Sequence, residues 1–580
     1  MKKLFLLFAF FMVLAVGCKN HSDDQIINDI FITDVDGVCV IDAEGGEVEV
    51  TVTTNIDYSV VIPYAAQSWL SVADTRAKTH IDSITFIVAV NEDLEERSAN
   101  VKLVNAFGKT LQTVSFVQSA IAVSDPTYYT NEIWYTNGST TEPTHPYDID
   151  AFGSKILSNT YDIENDCWII TFDGKVTTIG ECAFIWCYDL TSITIPRSVT
   201  TIGYWAFEGC SNLQSVTIGY GVTAIDDSAF GDCSSLTNVT IPNSVTTIGD
   251  GAFYNCSSMT SITLPDSVTT IGGSAFEGCS SLTSVKIPKS VTTIGLGAFR
   301  GCSSLAAFTG KFASEDSRCL IIDGALNSFA PAGLTKYTIP YSVTSIGNDV
   351  FYDCRNLISV TLPDRVTTIG THAFYNCSSL TSVNIPNRVT TIGSHTFYNC
   401  SSLTSVSIPD GLTTIGYSAF ASCSSLTSMT IPNSVTTIKL GAFCGCASLA
   451  EFNGKFASED SRCLIIDGVL NAFAPAGISE YTLPNGVTAI GNYAFEYCSG
   501  LTSVTIPDSV STIGDWAFAY CSSLKSVYCK ATTPPTGNSY MFNNTAPNLQ
   551  IYVPTESVNT YKSAPYWSSY ANAIIGYNFE

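Results

Sequence analysis

The sequence predicts a mainly β chain: an immunoglobulin-like β-sandwich followed by a long solenoid of 23-residue coils. Three observations carry this. Cysteines fall at 187, 210, 233, 256, 279 and 302, at 354, 377, 400, 423 and 446, and at 498 and 521, always 23 apart within a run. The gaps from 302 to 354 and from 446 to 498 are both 52, one 23-residue unit plus one of 29, so 13 standard coils are accompanied by two long ones. Such a period marks a solenoid, whose units cannot bury an apolar side alone and must stack. Before residue 120 the period is absent, and short alternating strands separated by turn residues take its place. That text fits an antiparallel sandwich.

The chain opens with Met1-Lys2-Lys3 and an apolar run from Leu4 to Val16. A charged start followed by a run too short to span a bilayer at ~20 residues per helix reads as an export signal, residues 1–17. The run ends Ala15-Val16-Gly17-Cys18, which resembles a bacterial lipoprotein processing site. The resemblance implies that Cys18 is lipidated and becomes the new N-terminus. Lys19 to Asp24, within a polar tether at 18–27, resembles the segment that sends such lipoproteins to the outer surface of Bacteroides-like bacteria.

Residues 28–120 carry the strand texts Glu47-Val-Glu-Val-Thr-Val, Tyr58-Ser-Val-Val-Ile, Ile84-Thr-Phe-Ile-Val-Ala-Val, Ala99-Asn-Val-Lys-Leu-Val and Thr113-Val-Ser-Phe-Val. Turns are expected at Gly45-Gly46, Pro63 and Gly108. The order Asn55, Tyr58, Ile62-Pro63, Trp69-Leu70-Ser71, Asn91, Arg97-Ser98-Ala99, Val117-Gln118 resembles the BACON module of exported Bacteroidetes proteins. The family name implies carbohydrate binding, although such modules also act as spacers. Trp69 is the sugar-stacking candidate; its alternative is a tryptophan packed in the sandwich core.

A linker and N-terminal cap occupy 121–167, since an end coil must cover its open apolar face. The repeats run from 168 to 530. In the copy Val245 to Ser267, the slots Val245, Ile248, Ala252, Phe253, Cys256, Met259, Ile262 and Leu264 are apolar in nearly every coil, and eight slots facing inward suffice for a core. Two period-2 stretches per coil predict two short strands, each pairing with its copy one coil along, with turns at Pro265 and around Gly249. The pattern Ile-Gly-x-x-Ala-Phe-x-x-Cys-x-x-Leu-x-x-Val-x-Ile-Pro resembles the BspA-type leucine-rich repeats of bacterial surface proteins. That resemblance implies a solenoid that binds other molecules and performs no chemistry. Asp226 and Lys439 replace the turn glycine, and a different backbone conformation is expected there. Residues 531–580, with a strand at Leu549 to Val553 and helix-like text at Ser557 to Ser563 and Trp567 to Ile574, are expected to form the C-terminal cap.

Lys+Arg is 26 against Asp+Glu 51, a net charge of −25 that repels nucleic acid and anionic lipid. The chain holds 21 cysteines, normally a sign of disulfides or metal in an exported protein. Here the period places the repeat thiols in one inward ladder, with side chains parallel and wrongly turned for bridging. A serine in that ladder would bury a hydroxyl with no assured partner. No Cys-x-x-Cys supports zinc. His372 and His395 share a slot in adjacent coils, but two ligands without a carboxylate pattern read as surface residues. Gly219-Tyr-Gly-Val-Thr-Ala224 opens no helix and fails as a dinucleotide motif. No zinc-protease or nucleophile-elbow motif occurs, so no catalytic site, cofactor or metal is expected.

Binding surfaces remain. The threonine ladder from Thr194 to Thr505 is what β-pairing favours on its own. Aromatic residues gather at variable positions beside the turn glycine and between Phe and Cys, where the fold does not ask for them. Tyr352, Tyr375 and Tyr398 should form a flat, partly exposed strip one strand spacing apart, and Trp205 and Trp516 join them as candidates. Gly310 to Gly324 and Gly454 to Gly468 are identical and 144 residues apart. Their six extra residues should bulge outward with Ser-Glu-Asp-Ser-Arg at the tip. The expected protein is thus an outer-membrane, lipid-anchored surface protein that recognises or adheres to a host or microbial surface protein or glycan. Its rival is an accessory glycan-capture protein for polysaccharide uptake.

Overall fold

The computed structural model describes residues 129–538 and 540–579, and before them 31–32, 38–41, 46–54, 58–63, 66–67, 70–72, 80–88, 97–105, 110–118 and 127. The expected signal and tether, with Cys18, lie outside the described residues, as does Trp69. Two compact units are present, 1–128 and 129–580.

The first unit holds β1 (Phe31–Ile32), β2 (Val38–Ile41), β3 (Gly46–Thr54), β4 (Tyr58–Val61), β5 (Leu70–Val72), β6 (His80–Val88), β7 (Arg97–Asn105) and β8 (Thr110–Gln118). They make two four-stranded sheets, ordered β1-β3-β6-β5 and β2-β8-β7-β4. Pairing is antiparallel except for β2 with β8. Period-2 alternation decides the faces: along β7, Ala99, Val101 and Leu103 are buried while Asn100 and Lys102 are exposed.

The second unit starts with β9 (Glu132–Thr136), β10 (Ile156–Asp162) and β11 (Cys167–Phe172), an antiparallel set in which β9 also pairs antiparallel with Ser192–Ile195 of the first coil. Residues 168–172, read from the sequence as repeat, therefore lie in this capping sheet, where Trp168, Ile170 and Phe172 are buried.

Each coil stacks three segments. The first two are the expected strands, in parallel register with their copies: Thr194 pairs with Thr217 and Thr217 with Thr240, and Ile225 pairs with Ile248 and Ile248 with Ile271. At 262–264 the first strand shrinks to one bridge, Thr240 with Thr263. The third segment runs from the turn glycine to the cysteine and shows no alternation in its letters. Its N–H groups alternate instead: those of Gly251, Phe253 and Asn255 donate to Gly273, Ala275 and Glu277 of the next coil at 2.7–2.8 Å. Those of Ala252, Tyr254 and Cys256 donate three residues back, to Gly249, Gly251 and Phe253. This geometry uses two left-handed residues per coil, here Gly251 (φ 62°) and Asn255 (φ 55°).

All eight inward slots of this coil, Val245 to Leu264, are buried. Phe207, Phe230, Phe253 and Phe276 stack along the axis with centroids 5.1–5.4 Å apart and planes within 7°. Such offset pairs contribute ~0.5–1.5 kcal/mol each beyond area burial. The 19 cysteines from Cys167 to Cys529 are free thiols. Polar letters are used as well: Thr246 Oγ1 donates to the Thr223 carbonyl, Thr269 Oγ1 to that of Thr246 and Ser257 Oγ to that of Ser234, each 23 residues back.

Asp226 and Lys439 do not alter the turn. Their N–H groups donate to Ile202 and Ile415 at 2.8 and 2.9 Å, as Gly249 does to Ile225 at 2.8 Å, and none of the three has a positive φ. Glycine serves close approach here: a Cβ at 249 would lie 2.6 Å from the backbone C of Asp226 and N of Asp227.

The long coils differ from an outward bulge. Cys319–Ile322 and Ala325–Phe329 form an antiparallel hairpin whose second strand begins the next parallel sheet, and Cys463–Ile466 with Val469–Phe473 repeat it. Glu315 and Asp316 are exposed at the tip, but Arg318 folds back onto the carbonyls of Ala330 and Ala332, while Cys319 and Leu320 are buried. The extra residues thus enter the core. Each axial ring stack ends there against an edge-on ring, Phe299 with Phe308 at 70° and Phe443 with Phe452 at 72°. The core accordingly divides into three clusters. Because the long coils have no third segment, the N–H groups of Gly297, Phe299 and Gly301, and of Gly441, Phe443 and Gly445, have no acceptor among the described residues. Past 531 the first-strand ladder continues through Gln550–Pro554 and Ile574–Tyr577. The short helix Val558–Ser563 lies between these strands, and buried Trp567 donates from Nε1 to the Pro535 carbonyl at 2.7 Å.

Candidate binding edge of the solenoid

The variable positions of the sequence fall on the third segment. Trp205 (φ 56°) and Trp516 (φ 55°) occupy the first left-handed slot, which Ser228, Gly251 and His372 fill in other coils. Trp186, Tyr497 and Tyr520 occupy the second, filled elsewhere by Gly209, Asp232 and Asn255. A left-handed backbone costs an L residue ~1–2 kcal/mol because Cβ crowds the following carbonyl. Glycine, asparagine and aspartate recurring at these two slots were the sequence signal for the turn.

Tyr352, Tyr375 and Tyr398 are brought together as expected and are half-buried. Centroids lie 4.9 and 4.8 Å apart, with planes within 3° and 6°. Their faces, however, point along the solenoid axis. Tyr375 is covered on both sides, and Arg300 Cζ sits 4.8 Å over the outer face of Tyr352. The row therefore offers ring edges and hydroxyls rather than a flat apolar strip. Axial repetition is the cause, since equivalent side chains one coil apart must stack. Burial first, then Tyr398 and Tyr352, pushes the Tyr375 hydroxyl above its ordinary range.

Two more rows flank this one. Asn376 Nδ2 donates to Asp353 at 3.1 Å and Asn399 Nδ2 to Asn376 at 2.8 Å. His372 and His395 do meet, with rings 5.1 Å apart, and Asp349 Oδ1 lies 3.5 Å from His372 Nδ1. Burial, then the neighbouring His372, lowers the pKa of His395. Arg300 pairs with Glu277 and, at 3.2 Å, with Asp349. No group of three or more His, Cys, Asp or Glu among the described residues is arranged to hold a metal ion.

Trp205 stacks on Tyr204 at 4.1 Å, and Trp516 stacks on Tyr540 at 4.9 Å and Tyr520 at 6.2 Å. Candidates that the sequence named together thus sit in separate groups, one in each core segment. The model of the BspA type leucine rich repeat region matches residues 177–306, 325–450 and 470–575, well over half of the chain. The chain belongs to this family. The BspA-type match is interrupted at the two hairpins.

Similar solved structures include a leucine-rich repeat protein from Eubacterium ventriosum, 25% identical, covering 67% of this chain and 95% of that one at a TM-score of 0.47. A leucine-rich repeat protein from Bacteroides ovatus is 26% identical, covering 70% and 88% at a TM-score of 0.34. A leucine rich cell surface protein from Faecalibacterium prausnitzii is 26% identical, covering 67% and 96% at a TM-score of 0.34. No curated protein matches this BspA-type chain. No described helix is long and apolar enough to cross a membrane.

Proposed function

We propose that the chain is a lipid-anchored outer-membrane protein that recognises or adheres to host or microbial surface molecules through the third-segment edge of its solenoid. One observation carries the reading. Trp186, Trp205, Tyr493, Tyr497, Trp516 and Tyr520 stand at left-handed backbone positions, where most other coils use glycine or small polar residues and three use Cys182, His372 and His395. Strain of that kind persists chiefly where a site repays it. Tyrosine and tryptophan, with few rotamers and a polar handle, are effective contact residues. The charge of −25 speaks against nucleic acid as the partner.

Adhesion to a surface protein is favoured over glycan capture, because the stacked rings of the tyrosine row leave Tyr375 no free face for a sugar. The first unit, through its BACON-like text, serves as a spacer between membrane and solenoid. Titrating the purified chain against a matrix-protein panel and a glycan panel tests this. Retention by proteins is expected; retention by glycans alone makes it a glycan-capture protein, and no retention removes the recognition role.

A further inference from the structure

At the N-terminal end of the edge, the cap is fixed to the first coil. Tyr147 N–H donates to Ala183 at 2.9 Å, and Thr144 Oγ1 donates to Asp189 at 2.8 Å. The rings of Tyr147 and Trp186 meet edge to face, 6.4 Å apart at 77°, and stay 66% and 55% exposed. The Trp186 indole lies over Gly209 of the next coil, where any Cβ would collide with its Cδ1. On the next coil Tyr204, 38% exposed, stacks on Trp205 at 4.1 Å, and its backbone carbonyl accepts the Cys182 N–H at 3.0 Å.

Carboxylates adjoin this group: Asp148 follows Tyr147, Glu181 precedes Cys182, and the backbone carbonyl of Glu208 accepts the Trp186 N–H at 2.7 Å. After burial, the causes that raise the Cys182 thiol are Glu181, Glu208 and Asp148, in that order. The Tyr204 hydroxyl is raised by partial burial, then by Glu208, Asp227 and Glu181. None of Asp148, Glu181 and Glu208 has an ion pair among the described residues.

At three tyrosines elsewhere the chain supplies its own cation, although exposed Tyr497, Tyr540 and Tyr566 have none among the described residues. Arg300 lies 4.8 Å from the Tyr352 centroid, Arg365 5.2 Å from Tyr341 and Lys439 5.7 Å from Tyr417. Around Tyr147, Trp186 and Tyr204 no such cation occurs among the described residues. Exposed aromatic faces and uncompensated carboxylates attract the same chemistry, a cation with apolar surface.

We infer that this patch binds a basic segment of a partner protein, with lysine or arginine side chains entering between Tyr147, Trp186 and Tyr204 against Asp148, Glu181 and Glu208. The inference rests on the recognition reading and names the partner's chemistry.

The test is calorimetric titration of the full chain with a synthetic peptide alternating lysine and glycine. A glutamine-for-lysine counterpart and a neutral cello-oligosaccharide serve as comparison ligands. The lysine peptide alone should bind. Trp186→Ala, Tyr147→Ala, and the triple Asp148→Asn, Glu181→Gln, Glu208→Gln should each weaken it by about tenfold. A control triple with the same charge change on exposed turns, Asp364→Asn, Asp410→Asn, Asp508→Asn, should weaken it by less than about twofold. Equal losses in the two triples would reduce the effect to general attraction by an acidic chain and overturn the site. Binding of the oligosaccharide or the glutamine peptide in place of the lysine peptide would overturn it in favour of a neutral ligand. Adhesion to a matrix protein that persists in the patch variants defeats this inference and leaves the recognition reading standing. An intact chain retained by no panel defeats that reading alone.

Discussion

The sulfur of Cys256 lies 3.2 Å from the backbone carbonyl oxygen of Phe230, 26 residues earlier and one coil back. That oxygen also accepts the Cys233 N–H at 3.4 Å. The bond recurs along the stack, at Cys279, Cys377 and Cys423 among others. A serine in this slot would inherit an acceptor, so the orphan hydroxyl expected from the sequence does not arise. Cys256→Ser should cost no more than ~1 kcal/mol.

The same thiols set an alkaline limit. Burial pushes Cys279 of the ladder, and likewise Cys463 of the second hairpin, up to about 12, against ~8.5 in an unfolded chain. Above pH ~8.5 the unfolded chain has released protons that the folded chain keeps, so folding stability is intact below that pH and falls as pH rises toward the folded values. The melting temperature should hold between pH ~6 and ~8 and drop steeply from pH ~9 to ~11, by ~1.4 kcal/mol per pH unit for each such thiol. Thiol counting in denaturant without reductant should find most repeat cysteines free. A profile flat through pH ~11 would contradict a stack of buried thiols.

The two hairpins should be visible in hydrogen exchange. Third-segment N–H groups are protected where a next coil accepts them, as at Gly251, Phe253 and Asn255, and those of Gly297, Phe299 and Gly301 have no acceptor among the described residues. Exchange at the second set, and at Gly441, Phe443 and Gly445, should be faster than at the first by at least about tenfold. Uniform protection along the solenoid would mean that the ladder is not broken.

Much of this architecture was legible because the period fixes register: once Val216 is known to pair with Val239, every inward slot follows. The third segment was not, since its hydrogen bonds alternate in destination while its letters do not. Its left-handed slots were hidden by mixed occupancy, Gly251 in one coil and Trp205 in another. The hairpins were misread for a different reason. Identical copies offered no contrast from which the burial of Leu320 and Leu464 could be inferred. For Tyr375 the spacing was legible, but spacing does not say which way a ring faces.

The tyrosine row separates packing from contact. Replacing Tyr352, Tyr375 and Tyr398 with alanine removes two stacks and should lower stability by ~0.5–1.5 kcal/mol per stack. Replacing all three with phenylalanine keeps the stacks and removes only the hydroxyls that face outward. The phenylalanine variant should therefore melt like the parent and lose adhesion. Adhesion unchanged in that variant would take this row out of the binding surface.

The proposed lipid anchor depends on Cys18. Metabolic labelling with a fatty-acid analogue should mark the chain, and Cys18→Ser should lose both the label and retention by membranes. Stable attachment needs more than one acyl chain, since a single chain binds only marginally. Labelling that survives the substitution would exclude this anchor.

Backbone strain at the aromatic slots can be measured without knowing the ligand. At ordinary positions alanine is more stable than glycine by roughly 0.5–1 kcal/mol, because glycine loses more freedom on folding. At a left-handed position the order reverses, since alanine keeps the Cβ clash that glycine lacks. Trp516 has φ 55°, whereas Tyr352, also on this edge, has no positive φ. Trp516→Ala and Trp516→Gly remove the same contacts to Tyr540 and Tyr520, so those losses cancel and the backbone term remains. Glycine should be the more stable of the pair at 516 by ~1–2 kcal/mol, and the less stable at 352, both read as shifts in melting temperature. Equal stabilities at 516 would mean that tryptophan is held there at no cost. The inference that this edge retains its aromatics for binding would then lose its main support.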